Sequence, residues 1–188
     1  MTRADQQKAR KAEIMFKGLE LFVQCGYAGT KTSDIARELK ISEGLIFHYF
    51  PTKEQLYMEL VKIGVDKTDY FSGVITDPYK KLYDIVDDLF CMVRTDRRTA
   101  MFFVLVDDAQ NNRNTPERVR EAAGKVTLVE QSVPVIKTGQ ESGIFRTGDT
   151  FGLTCTFWTA LQGIMEGIAR NPDMPVPETE WLISILKS

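Results

Sequence analysis

The ten residues from Ile41 to Phe50, "ISEGLIFHYF", hold one Leu, two Ile, two Phe and a Tyr behind a Ser-Glu-Gly start. A stretch this short cannot cross a membrane, which takes ~20 apolar residues. It is also too apolar for a helix with a single buried side. Either it is buried all round or its second face presses on something other than water. Ser42 is placed to cap a helix beginning at Glu43, and Pro51 disfavours helix at Phe50. Just before it, "TSDIAREL" puts Ile35, Ala36 and Leu39 on one face of another short helix, with Thr30 or Thr32 as cap candidates. Lys40 and Ile41 leave room only for a tight link between the two.

The rest of the chain repeats the helical period. Ala9, Ala12, Phe16, Leu19 and Val23, with Met15 and Phe22 alongside, form an apolar stripe on a long first helix. It should stop at "CGYAGT", where Gly26 can supply a left-handed terminal residue. Thr52, with Gln55 in the capping-box position, opens a helix expected over 53–72. Five more are expected at 78–93, 97–111, 116–139, 149–170 and 178–187. In "TPERV" Thr115 is the expected cap and Pro116 the first helical residue, and Pro134 should kink the helix that contains it. No alternating strand pattern occurs. The expected fold is all-α with about nine helices: a three-helix domain over 1–50, linked by helix 53–72, and a second domain over 51–188.

Composition narrows the chemistry. With 43% apolar and 27% charged residues, the balance is that of an ordinary soluble globular chain. The N-terminus lacks a signal-peptide stretch, and Cys25, Cys91 and Cys155 form no CxxC, so reduced thiols and a cytoplasmic location are expected. A net charge of −2 argues against a broadly basic nucleic-acid binder. Residues 1–60, however, sit near +1 and 61–188 near −3, so any nucleic-acid contact belongs in the N-terminal third. His48 is the only histidine. With no glycine-rich phosphate loop, metal-ligand spacing or nucleophile–base pair, neither catalytic residue, metal nor cofactor is expected.

Two short helices behind a long amphipathic one are the layout of a helix-turn-helix, whose second helix enters the DNA major groove. Ile46 and Phe50, four apart, then face Ile35 and Leu39. The opposite face offers Ser42, Glu43, Gly44, Leu45, Phe47, His48 and Tyr49. Gly44 lets the backbone approach DNA closely. Ser42 and the free N–H groups beside it suit a phosphate. His48, Tyr49 and Lys53 are donors placed to clamp the flanking backbone. Leu45 could read a thymine methyl and Glu43 a cytosine N4, although Glu43 could equally be a solvated residue favouring the helix start.

Over 21–56 the chain resembles the DNA-binding domain of the TetR family of one-component bacterial regulators. The matching elements are Leu21-Phe22, Gly26-Tyr27, Thr30, Thr32, Ile35-Ala36, Ile41-Ser42, Gly44, Ile46, Tyr49-Phe50, Lys53-Glu54 and Leu56. The resemblance implies a homodimer that binds a palindromic operator on double-stranded DNA, usually as a repressor, and releases it when a small molecule enters the C-terminal domain. By position it implies DNA contacts at Thr32, Ser42, Gly44, Phe47, Tyr49 and Lys53, and Thr30 and Ser33 join them in the expected set. Lys31 stands where a small hydroxyl residue is usual, Phe47 where Tyr is frequent, and Leu45 where a small or polar residue is common.

The helix expected over 149–170 carries two stripes. Gly152, Thr156, Ala160, Gly163 and Gly167 are small and permit close approach of another helix. Leu153, Phe157, Leu161, Ile164 and Ile168 are bulky and suit a core. In the family the last two helices build a dimeric four-helix bundle, so the small stripe is the expected dimer interface, the alternative being an internal helix of a monomer. Trp158, Gln162 and Met165, with Met101, Phe103 and Asp107 of "MFFVLVDDAQ", are the expected walls of a pocket for a small, largely apolar effector. The same residues would also serve as plain core. A different class of protein, a helical small-molecule binder with a vestigial helix-turn-helix, predicts no salt-dependent DNA binding.

Overall fold

The computed structural model describes residues 2–65, 71, 74–124 and 128–187. Helix α1 (Arg3–Gly29) starts at a reciprocal cap. The Thr2 hydroxyl accepts from the Asp5 N–H, and the Asp5 carboxylate accepts from the Thr2 N–H at 2.8 Å. Its buried face runs through Ile14, Gly18, Leu19, Phe22 and Val23. The expected stripe is therefore rotated, and Phe16 stays 38% exposed. The reason is α4 (Lys53–Val65), which meets α1 where a Cβ on Gly18 would lie 3.1 Å from Leu56 Cδ2. Gly26 takes φ 68°, breaking the helix as expected, but another turn follows to Gly29.

The Thr30 N–H and hydroxyl both return to Gly26 O, which fastens that extra turn. α2 (Thr32–Leu39) and α3 (Glu43–Tyr49) follow, against helices expected over 30–39 and 43–50, with bounds that agree to within two residues. Their link is Lys40 in the left-handed region at φ 55°, with the Ile41 N–H donating to Ala36 O. Neither threonine caps α2, whose cap position is Lys31 with no side-chain bond. Thr52 caps α4 through the Gln55 N–H at 3.1 Å. Of the helix expected over 53–72, α4 accounts for Lys53–Val65, and 66–70, 72 and 73 lie outside the described residues.

The chain divides into two compact units that differ from the boundary expected at residue 50. The first is Met1–Lys67 with Met101–Lys125, and the second is Thr68–Ala100 with Val126–Ser188. α4 joins the first because it buries Leu56, Tyr57, Leu60 and Val61. It packs on α1 and on α7 (Glu117–Ala123). Phe22, Tyr27 and Tyr57 form an aromatic cluster there, with ring centroids 4.7 and 5.0 Å from Tyr57. α6 (Arg98–Asn111) belongs to this unit from Met101 onward.

The helix expected over 116–139 is two. Gly124 ends α7, and α8 (Leu128–Glu141) begins afresh and runs through Pro134. Thr115 is buried and is not the cap; Pro116 holds that position without a side-chain bond. In the second unit α5 (Pro78–Thr95) is capped by Asp77 with proline first, and α9 (Thr150–Arg170) by Asp149. α8 packs on α9 and α5, and α10 (Thr179–Ile183), continued by a short 3-10 turn, packs on α5. Phe145 is buried beside Gly139 and pairs through its backbone with Lys187. Among the described residues all regular structure is helical apart from that isolated bridge.

Candidate nucleic-acid interface

α3 has an inner and an outer side. Ile46 and Phe50 are fully buried, as is Ile35 of α2. Ser42, Glu43, Gly44, Phe47 and His48 are exposed, with Leu45 and Tyr49 half-buried. The Ser42 hydroxyl accepts from the Leu45 N–H at 3.3 Å and starts the helix. Phe47 is 44% exposed, a large apolar ring in water, and the His48 and Tyr49 rings meet edge to face at 5.3 Å.

Gly44 is the most informative position. A Cβ built on it would meet no atom within 4 Å, so no packing inside the chain calls for glycine. Glycine within a helix costs roughly 0.5–1 kcal/mol relative to alanine. The free protein gains nothing to offset that cost, whereas a surface approaching α3 closely would.

Two expected contacts face elsewhere. Thr30 is only 2% exposed, and its hydroxyl lies 2.8 Å from Gly26 O and 3.0 Å from Leu21 O. Its side chain finishes α1 and has no surface to offer a phosphate. Lys53 donates from Nζ to Tyr27 O at 2.7 Å and Thr30 O at 2.9 Å, with its ammonium 4.1 Å from the Tyr27 ring centroid. Partial burial pulls its pKa below the usual lysine value. Two of its three donors therefore hold the end of α1 against α4, leaving one for an outside group.

Thr32 is half-buried and Ser33 exposed at the start of α2. The Thr32 hydroxyl donates to Glu43 Oε1, joining the first turns of α2 and α3. This contact was not legible beforehand, because it spans eleven residues and depends on the turn at Lys40. Nearby, Lys11 bonds Glu59 at 2.8 Å and lies 5.1 Å from the Phe50 ring centroid, tying α1 to α4.

The expected effector residues fall into both units. Met101, Phe103 and Asp107 are half-buried on α6 in the first, and Asn111 Nδ2 donates to Asp107 Oδ1 at 3.0 Å. Trp158, Gln162 and Met165 lie on α9 in the second. Met165 is fully buried, and Trp158 Nε1 donates to Ser132 Oγ of α8 at 2.7 Å. Gln162 Nε2 is buried with no hydrogen-bond partner among the described residues.

The small-residue stripe of α9 divides by cause. A Cβ on Gly152 would lie 2.6 Å from the capping Asp149 carboxylate, and one on Gly167 would lie 2.3 Å from Met174 Sδ. A side chain at either position would have to displace another of the same chain, the Asp149 cap or the tip of Met174. Gly163 is exposed and a Cβ there would meet nothing within 4 Å; Thr156 is exposed and Ala160 half-buried beside it. No described helix is long and apolar enough to cross a membrane, and no described group of three His, Cys, Asp or Glu could hold a metal ion.

The buried back and open front of α3, set by a tight turn on α2, define a helix-turn-helix of the DNA-binding class. Residues 14–60 match the family described as bacterial regulatory proteins, tetR family, so the likeness to that family lies in this N-terminal segment. Over 61 residues it is 41% identical to the uncharacterized HTH-type transcriptional regulator YuxN of Bacillus subtilis, covering 32% of this chain and 21% of that protein. It is 29% identical over 80 residues to IcaR of Staphylococcus aureus, a negative transcriptional regulator of the biofilm operon icaADBC, covering 43% of this chain and 41% of that one. The matched stretch thus spans about a fifth to two fifths of these relatives' length.

The fold likeness extends further. The MbdR regulator from Azoarcus sp. CIB superposes with a TM-score of 0.74 at 22% identity, covering 94% of this chain and 96% of that one. AibR, solved with isovaleryl coenzyme A and operator DNA, gives 0.65 at 17% identity, covering 95% and 98%.

Proposed function

We propose that the chain is a cytoplasmic, homodimeric transcriptional repressor that reads a palindromic operator through α3 and is released by a small, largely apolar effector. Gly44 carries the reading: a helix glycine facing open space is favoured only if a surface outside the chain comes close. The proposed contacts are Ser42, Gly44, Leu45, Phe47, His48 and Tyr49 on α3, Thr32 and Ser33 on α2, and the remaining donor of Lys53. Phosphate contacts position such a domain and base contacts specify its site. Leu45 can touch a thymine methyl.

Effector response is a shift between two states with different spacing of the two reading heads, which operator DNA favours ~34–36 Å apart. The ligand acts only through its differential affinity for them. α4 is the proposed moving element. Within the first unit Tyr57 of α4 donates to Asp108 Oδ2 of α6 at 3.3 Å, and a Cβ on Gly64 of α4 would lie 2.5 Å from Val106 Cγ2 of α6. A shift of α4 would therefore disturb its contacts with α6, the helix that carries Met101, Phe103 and Asp107. In the second unit Gln162, with an unpartnered buried amide N–H, is the proposed polar contact between Trp158 and Met165. AibR, bound to an acyl coenzyme A and to its operator, is a fold relative that does both jobs. Thr156, Ala160 and Gly163 are the proposed centre of the dimer contact.

The test is selection of bound duplexes from a random pool at ~0.15 M salt, which suppresses purely electrostatic binding. An enriched palindrome is expected. No enrichment with folded, ligand-free protein would favour the vestigial helix-turn-helix.

A further inference from the structure

Glu43 is an anomaly on a face meant for DNA. It is an exposed acidic residue in the first turn of α3, and on the proposed reading it would face a polyanion. Phosphate oxygens repel a carboxylate, and so do the groove acceptors N7 and O6 of guanine and O4 of thymine. Adenine offers its N6 amino group only beside the acceptor N7. Cytosine N4 has an acceptor on one side only, O6 of its paired guanine, whereas adenine N6 lies between its own N7 and thymine O4, so cytosine is the base that a carboxylate can read with least repulsion.

The structure adds a second observation. Glu43 does not swing freely in solvent, because Oε1 accepts from the Thr32 hydroxyl of α2. That bond holds Oε1 of the carboxylate at the start of α2 and leaves Oε2 open as an acceptor. It also occupies the single hydroxyl proton of Thr32, so Thr32 can reach a phosphate only through its backbone N–H, which the uncapped start of α2 leaves available. We infer that Thr32 is a positioning residue that holds the Glu43 carboxylate to read the N4 amino group of one cytosine in each operator half-site. The inference rests on the DNA-reading function proposed above, and assigns the strength of this base preference to a residue pair spanning both helices.

Full-length wild type, Thr32→Val and Glu43→Gln are taken through the same duplex selection, and each enriched duplex is then titrated with cytosine or thymine at the position concerned. Wild type is expected to enrich one C·G pair per half-site and to favour cytosine over thymine about tenfold, as for a single good base contact. Glu43→Gln should flatten that position or turn it toward adenine, which glutamine reads, while the rest of the motif persists. Thr32→Val, nearly the same shape without the donor, should reduce the cytosine preference severalfold and leave the other positions intact. An unchanged cytosine preference in Glu43→Gln would overturn the base assignment. A Thr32→Val motif identical to wild type would overturn the positioning role. If wild type enriches no palindrome, the proposed function itself fails and this inference with it, an outcome distinct from a motif that all three proteins share.

Discussion

At Gly44 the stability of the free protein and its function pull in opposite directions. Since a Cβ would meet open space, Gly44→Ala should leave thermal stability unchanged or raise it by up to ~1 kcal/mol through helix propensity. The same methyl should weaken operator binding at least tenfold. Melting curves and titrations of one preparation check both, and unchanged binding would remove Gly44 from the interface. Tyr57 makes a different prediction. Burial, then the neighbouring Asp108 carboxylate, hold its phenol well above the ordinary tyrosine value. The folded state thus keeps a proton that the unfolded chain releases near pH 10. That contribution to stability is fully present below this pH and is lost as pH rises above it. The fall in melting temperature between about pH 8 and about pH 10.5 should be larger in wild type than in Tyr57→Phe; parallel falls would contradict the assignment.

The helices themselves were legible wherever short-range chemistry set them. The Ser42 and Thr52 caps and the Gly26 break are local signals, and each stands in the structure. The misses share a cause: tertiary partners. The buried face of α1 is turned by α4, the Thr30 hydroxyl is drawn inward onto Gly26 O and Leu21 O, and Lys53 is drawn onto Tyr27 O and Thr30 O. The break between α7 and α8 falls at Gly124, whereas Pro134 lies inside α8. Packing of helices also separates glycines that look alike in sequence. Gly139→Ala would bring a Cβ within 2.0 Å of Phe145 Cδ2 and should cost about 1–3 kcal/mol by overpacking, measured by denaturant unfolding. Gly163→Ala meets no atom and should stabilise the isolated helix slightly. If α9 closes the dimer, sedimentation should show Gly163→Ala dissociating at higher protein concentration than wild type. An unchanged dimer would move the interface off this face.

On the scale of the whole molecule, the charge imbalance makes the N-terminal third the more favourable place for a polyanion than the remainder, without specifying a site. Purely electrostatic binding would fall steeply with salt and ignore sequence, whereas binding through α3 should survive at ~0.15 M and depend on base identity. The proposed effector residues were the least legible part, because apolar side chains at helical spacing serve a core and a pocket alike, and the buried, unpartnered Nε2 of Gln162 sets one of them apart. The most direct test of the central claim is the affinity of the wild-type chain for its selected palindrome relative to a scrambled duplex of the same composition, at ~0.15 M salt. A ratio of about 10³ or more is predicted for a specific reader. Equal affinities would contradict it and leave the helix-turn-helix without a sequence to read.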